Sequence, residues 1–270
     1  MKMVAISKHI GLVSHLRHWG LKVQEKEGWR HRGRPYNFYP KAIIAHHTAS
    51  GKDSGNFASE SIVTFGRSDL PGPLCQFLLG RDGTVKLIAA GYANHAGYGG
   101  PRAGIPENMG NTYSYGIEAE NNGIGEPWTQ AQLNAYYRLC AALLVWMGTK
   151  DVSKVFAHKE WAPGRKIDPA GIDMARFREQ VRKALNEGDS VETVRLSRLK
   201  PGRRNGDVRK VKRRLKRRGF YDNKDFNNYF GKSLLTAYAK WQKHLGYDGN
   251  DANGIPGKES LNKLGFRVKP

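Results

Sequence analysis

The chain has 270 residues, 39% of them hydrophobic and 10% aromatic, enough for one large core or a middling core plus a small one, and its composition is neither disordered nor collagen-like. Its longest apolar run, residues 141–147, is far too short to span a bilayer, and two cysteines, Cys75 and Cys140, are too few for a disulfide framework; Cys140, in an apolar helical stretch, reads as a buried thiol. The net charge of +21 is uneven: from Ser190 onward 21 Lys plus Arg face 7 Asp plus Glu (+14), against 24 and 17 (+7) before it, so the C-terminal third is suited to a polyanionic partner.

Residues 1–20 mix His9, His15, Arg17 and His18 with apolar residues, and no apolar segment there ends in a small-residue cleavage site. The expectation is a protein made in the cytoplasm without a secretory signal. Residues 42–48 (AIIAHHT) read as a buried strand, and residues 74–79 and 84–88 as a hairpin turning at Asp82-Gly83. Residues 115–120 predict another strand. Thr129, with Gln132 three residues on, predicts a capping box ahead of a helix whose apolar face is Leu133, Tyr136, Leu139, Leu143 and Met147. A strand over 154–158 follows, then a helix capped by Asp173 with Met174, Phe177, Val181 and Leu185 on one face.

These elements predict an α/β fold, a mixed β-sheet flanked by helices, over residues 1–188. The polar stretch 186–190 marks a boundary. Residues 189–270 predict a small three-helix domain, with Asp207 capping residues 208–218, a second helix carrying Leu234, Tyr238, Trp241 and Leu245 and ending at Gly246, and a last piece with Leu261 and Leu264 after Pro256-Gly257.

Among nine histidines, His46 and His158 each end a predicted apolar strand, where side chains can converge at one sheet edge. Asp168 follows His158 by ten residues. Two imidazoles and a carboxylate with a fourth position open are a known catalytic zinc arrangement, although the spacing alone, with no short His-x-x-x-His pair, favours ordinary surface or core histidines.

Four motifs occur in order across residues 40–170: His46-His47-Thr48-Ala49, Asn94-His95-Ala96-Gly97, Tyr115-Gly116-Ile117-Glu118, and Ala157-His158 with Pro163 through Pro169. Together they resemble type 2 N-acetylmuramoyl-L-alanine amidases, which share their fold with peptidoglycan recognition proteins. The stretch from Gly28 to Arg34 resembles leader segments of phage endolysins. Leu199 to Gly202, Asp207-Val208, Tyr229 to Gly231 and Trp241-Gln242 are similar to the three-helix peptidoglycan-binding module, with basic residues where that module often has a first-helix glutamine.

The resemblance implies a Zn2+ cofactor held by His46, His158 and Asp168. The two neighbours His46 and His47 must face opposite sides of a regular strand, and the resemblance, not the alternation, selects His46. It also implies Glu118 as the catalytic carboxylate, with Glu120 as its competitor, and Lys166 as a stabiliser of developing negative charge. His95 corresponds to a histidine lining the substrate groove, with a purely structural hydrogen-bonding role equally open. The implied activity is hydrolysis of the amide between N-acetylmuramic acid and L-alanine in peptidoglycan, as a phage endolysin acting on the wall after release. Anionic wall polymers are a further expected partner.

Three alternatives remain at this point. A non-catalytic receptor on the same fold commonly lacks a zinc ligand, whereas all three candidates are present here. A cytosolic amidase recycling wall fragments would not need the C-terminal module. A nucleic-acid-binding protein would explain the basic run 209–218, and Tyr221, Phe226, Tyr229 and Phe230 as stacking residues, but not the His, Asp and Glu constellation. No stable nucleic-acid partner is therefore expected.

Overall fold

The computed structural model describes residues 9, 11–189, 192–222 and 226–270, and the chain divides into two compact units, Met1–Asp189 and Ser190–Pro270. In chain order the first unit holds α1 (Leu12–His18), β1 (Val23–Glu25), β2 (Ala42–His47), α2 (Glu60–Phe65), β3 (Gly66–Arg67), β4 (Leu70–Pro71), β5 (Phe77–Leu79), β6 (Val85–Leu87), α3 (Gly110–Tyr113), β7 (Ser114–Ala119), α4 (Gln130–Trp146), β8 (Val155–Ala157), α5 (His158–Trp161) and α6 (Met174–Asp189). Six strands form one mixed sheet in the order β1-β6-β5-β7-β2-β8, in which only the β5–β6 hairpin is antiparallel.

The alternation of β2 splits the interior into two layers. Ile43 and Ala45 join the larger core with Leu12 and Leu16 of α1, Tyr136, Leu139 and Leu143 of α4, and Phe177 and Val181 of α6. Ala42 and Ile44 face the other way, into a smaller core with Ala96, Ile105, Phe156 and Trp161. In β7, Tyr115, Ile117 and Ala119 likewise join the larger core. His46 and Glu118, paired directly across β2 and β7, therefore emerge together at the C-terminal ends of their strands on the face away from α4 and α6.

Several local expectations change. Thr129 caps α4 by accepting from the Gln132 N–H at 3.1 Å, but the Gln132 side chain donates to the Glu120 carbonyl, so the reciprocal half of the capping box is absent. His158 does not end a strand: it opens the four-residue α5 after β8 stops at Ala157. The polar residues 186–189 continue α6 rather than following it, and Ser190 lies outside the described residues. Residues 1–8 of the N-terminal segment also lie outside them. Cys140 is free and buried, as expected, and so is Cys75. No helix among the described residues is long and apolar enough to cross a membrane.

The second unit holds β9 (Thr193–Arg195), α7 (Gly206–Arg217), α8 (Lys232–His244), α9 (Lys258–Leu264) and β10 (Arg267–Lys269). Its core is built on Val208, Val211 and Leu215 of α7, Tyr238 and Trp241 of α8, and Leu261 of α9. Beyond the three expected helices, β9 and β10 pair in parallel. The cap of α7 is Asn205, whose side chain accepts from the N–H groups of Asp207 and Val208; Asp207 sits inside the first turn and takes Lys210 and the Arg195 N–H instead.

Candidate metal centre

His46 Nδ1, His158 Nδ1 and Asp168 Oδ2 form a triangle with all three sides 3.0 Å. All three residues are buried, and together they form the His/Cys/Asp/Glu group among the described residues that could hold a metal ion. β2 supplies the first ligand, the start of α5 the second, and the loop after α5 the third.

The far side of each imidazole is fixed. His158 Nε2 lies 2.8 Å from the Ala96 carbonyl, which can only accept, so this nitrogen carries the proton and donates. In a neutral ring the lone pair is then on Nδ1, turned into the triangle. His46 Nε2 lies 3.1 Å from His95 Nδ1, and His95 Nε2 lies 3.2 Å from the Ser114 carbonyl. The same argument puts the His95 proton on Nε2, leaves its Nδ1 as acceptor for the His46 Nε2–H, and turns the His46 Nδ1 lone pair inward. Burial lowers the pKa of His46, with the nearby His158 charge acting in the same direction, to about 4, and burial pushes His95 well below the usual histidine range. Two imidazole nitrogens and a carboxylate oxygen thus face one another at contact distance, an arrangement that a cation relieves.

Glu118 Oε1 stands 3.8 Å from His46 Nδ1, while its Oε2 is buried without a hydrogen-bond partner. Burial, helped by the Asp168 and Glu120 carboxylates and opposed by Lys166, raises its pKa well above the ordinary value. Lys166 is half-buried and near enough for its charge to act on both His46 and Glu118. Glu120 is fully buried elsewhere, taking hydrogen bonds from the Thr48, Ser50 and Ser59 hydroxyls and the Ser59 N–H.

His95, expected from the resemblance either at the substrate groove or in a structural hydrogen bond, is 7% exposed with both ring nitrogens engaged internally. Its backbone N–H and that of Ala96 both donate to Asn111 Oδ1. His47 points to the other face and accepts the Ala170 N–H at 3.0 Å, tying down the loop that carries Asp168. The Tyr136 hydroxyl of α4 accepts the His46 N–H at 2.9 Å and lies 3.1 and 3.2 Å from the His46 and Ile117 carbonyls. The sequence marks Tyr136 only as a core residue on a helical stripe. Asn111 and the polar work of Tyr136 depend on loop and helix placement and leave no local signal.

Residues 35–171 match the N-acetylmuramoyl-L-alanine amidase family. Among solved structures, the chain is similar to an AmpD derivative (22% identity, 60% of this chain and 94% of that one, TM-score 0.43). It is similar also to the endolysin N-acetylmuramoyl-L-alanine amidase LysCS from Clostridium intestinale (21%, 59% and 95%, TM-score 0.42). A third similarity is to AmpDh3 from Pseudomonas aeruginosa in complex with an anhydromuramic pentapeptide (18%, 86% and 92%, TM-score 0.43). None of the curated proteins compared matches the chain.

Proposed function

Given that the chain belongs to the N-acetylmuramoyl-L-alanine amidase family, we propose that it is a zinc-dependent hydrolase of the amide joining N-acetylmuramic acid to the first L-alanine of the peptidoglycan stem. The observation that carries the zinc assignment is the triangle of two imidazole nitrogens and one carboxylate oxygen. Three N and O donors from the protein with a fourth position open are the ligand set of catalytic zinc sites, and zinc–ligand bonds of about 2.0–2.2 Å in a tetrahedron put donors about 3.3–3.6 Å apart. The 3.0 Å sides are a few tenths of an ångström shorter than that spacing.

A zinc ion bound there would supply Lewis acidity towards the attacking water and the scissile carbonyl. The chain's own groups do the rest. Glu118, with one oxygen unpartnered, accepts the proton of the attacking water and returns it to the leaving nitrogen. Its raised pKa suits a group that must both take and give a proton. Lys166 places positive charge where the carbonyl oxygen becomes negative. Tyr98 (78% exposed) and Ile167 (68% exposed), chain neighbours of the His95–Gly97 and Asp168 segments, offer apolar surface to the substrate.

The second unit is proposed to hold the enzyme at the wall. Within its basic run, Lys210 pairs with Asp207, Lys212 is buried against Asn227, Arg214 reaches Glu192 and the Gly265 carbonyl, and Arg218 lies over the Trp241 ring, whereas Arg209, Arg213 and Lys216 are exposed, the two arginines one turn apart. Of the four candidate stacking aromatics, Tyr221 and Phe230 are buried and Phe226 is half-buried, while Tyr229 is 41% exposed with the Arg204 guanidinium over its ring, which leaves one aromatic face at the surface for stacking on bases. Outward cations with a single exposed aromatic suit a wall-attached polyanion better than single-stranded nucleic acid, which is held by successive stacked bases. An endolysin acting on polymeric wall is the proposed setting, because tethering raises local concentration only on an insoluble substrate.

Mass spectrometry of fragments released from purified wall tests the reading. Free stem peptides with an N-terminal L-alanine are expected; release of sugar fragments still carrying their peptides would overturn it.

A further inference from the structure

We propose that His95 is a positioning residue that sets the tautomer of His46, and that residue 116 is glycine because the His95 ring occupies the space a side chain there would need. The proposal rests on reading His46, His158 and Asp168 as a metal centre.

The chain of hydrogen bonds has a direction. It ends on the Ser114 carbonyl, an acceptor only, so His95 Nε2 donates there; His95 Nδ1 then accepts, and His46 Nε2 donates to it. The only ring nitrogen left to His46 for a metal is Nδ1, the atom in the triangle. An imidazole free to choose would present either nitrogen, and one tautomer would put a proton where a metal must sit. The two rings meet edge to face, with centroids 5.2 Å apart, so His95 fixes the plane of His46 as well as its proton.

Gly116 belongs to the same device. It lies on β7 with the parity of Glu118, and a Cβ built on it would fall 2.5 Å from His95 Cγ and 2.8 Å from Nδ1 and Cδ2. Its backbone is not in the left-handed region, so an alanine there meets no conformational strain. The obstacle is the ring. Two motifs distant in sequence, Asn94-His95-Ala96-Gly97 and Tyr115-Gly116-Ile117-Glu118, are thereby linked: one supplies the ring and the other the space for it.

The direct test is long-range 1H–15N correlation of the histidine rings in the zinc-loaded full-length protein. A proton on Nε2 of both His46 and His95 is expected; a proton on His95 Nδ1 would overturn the proposal without any variant. Zinc affinity by chelator competition supplies a second readout, with folding of each variant checked by its thermal transition. His95→Phe, which keeps a ring but no acceptor, is expected to weaken zinc binding roughly 10- to 100-fold. His95→Asn, which returns an acceptor oxygen near the Nδ1 position, should recover most of that loss. Gly116→Ala should weaken zinc binding alone yet add nothing in a His95→Ala background, since its effect passes through the ring. His158→Ala separates the two claims: if it loses zinc while His95→Phe binds like the parent, only the positioning role is refuted, and if it binds zinc like the parent, the metal centre itself is refuted.

Discussion

Glu118 and Glu120 stand two residues apart at the end of β7 in opposite chemical situations: Glu120 takes hydrogen bonds from three hydroxyls and a backbone N–H, while Glu118 keeps one buried oxygen with no partner beside His46. A saturated carboxylate holds structure together, and an unsaturated one at a metal centre is free to handle a proton. Glu118→Gln is therefore expected to retain zinc and lose about a hundred- to ten-thousand-fold in turnover. Glu120→Gln is expected to cost about 1–3 kcal/mol of stability, because donors around it lose a charged acceptor. Unfolding curves beside wall-hydrolysis rates check both; a fully active Glu118→Gln would reverse the assignment.

Metal removal should be visible in both activity and stability. His158→Ala and Asp168→Ala are each expected to elute from gel filtration without zinc and without activity. Chelation of the parent should lower its unfolding temperature, since a ligand at a hundred times its Kd stabilises by about 2.7 kcal/mol. Metal content by elemental analysis is the measurement, and a stoichiometric zinc in His158→Ala would contradict the site.

Tyr136 connects helix packing to the centre. Tyr136→Phe leaves the buried His46 N–H without its acceptor and should cost about 1–3 kcal/mol, read from denaturant unfolding. The loss should appear in the zinc-free protein as well, because this hydrogen bond belongs to the backbone of β2.

The Arg81–Glu126 pair gives a pH signature away from the centre. Arg81 Nε and an Nη donate to the two Glu126 oxygens at 2.7 and 3.2 Å, and this hydrogen bonding holds the Glu126 carboxyl below its usual pKa of 4.5. A depressed folded-state pKa stabilises above the unfolded value and loses that contribution as pH falls through the folded one. The stability difference between the parent and Glu126→Gln should therefore be full at neutral pH and shrink from about pH 5 downward. A difference constant from neutral pH to about pH 3 would show that the pair contributes no linkage.

At the second unit, Arg209→Glu with Arg213→Glu should reduce retention on purified walls and flatten its dependence on salt, because each cation removed releases fewer counterions on binding. Hydrolysis of small soluble muropeptides should be unchanged. Unaltered wall retention by the double variant would exclude this face as the contact.

Much of this molecule is written in local pattern. The apolar run at Ala42–Ala45, the stripe of Tyr136, Leu139 and Leu143, and the Asp82-Gly83 turn are short-range signals, and each leads to its observed element because burial of apolar side chains decides strand and helix alike. The four motifs were enough to bring out His46, His158, Asp168 and Glu118 through family resemblance. Their meeting was not legible in spacing, since 112 residues separate the two histidines that come within 3.0 Å. Which of two glutamates stays unsatisfied, which nitrogen of His46 faces inward, and why residue 116 has no side chain were decided only when separate segments packed together. Hydrogen-bond partners and excluded volume are properties of neighbours in space, and a sequence records neighbours along the chain.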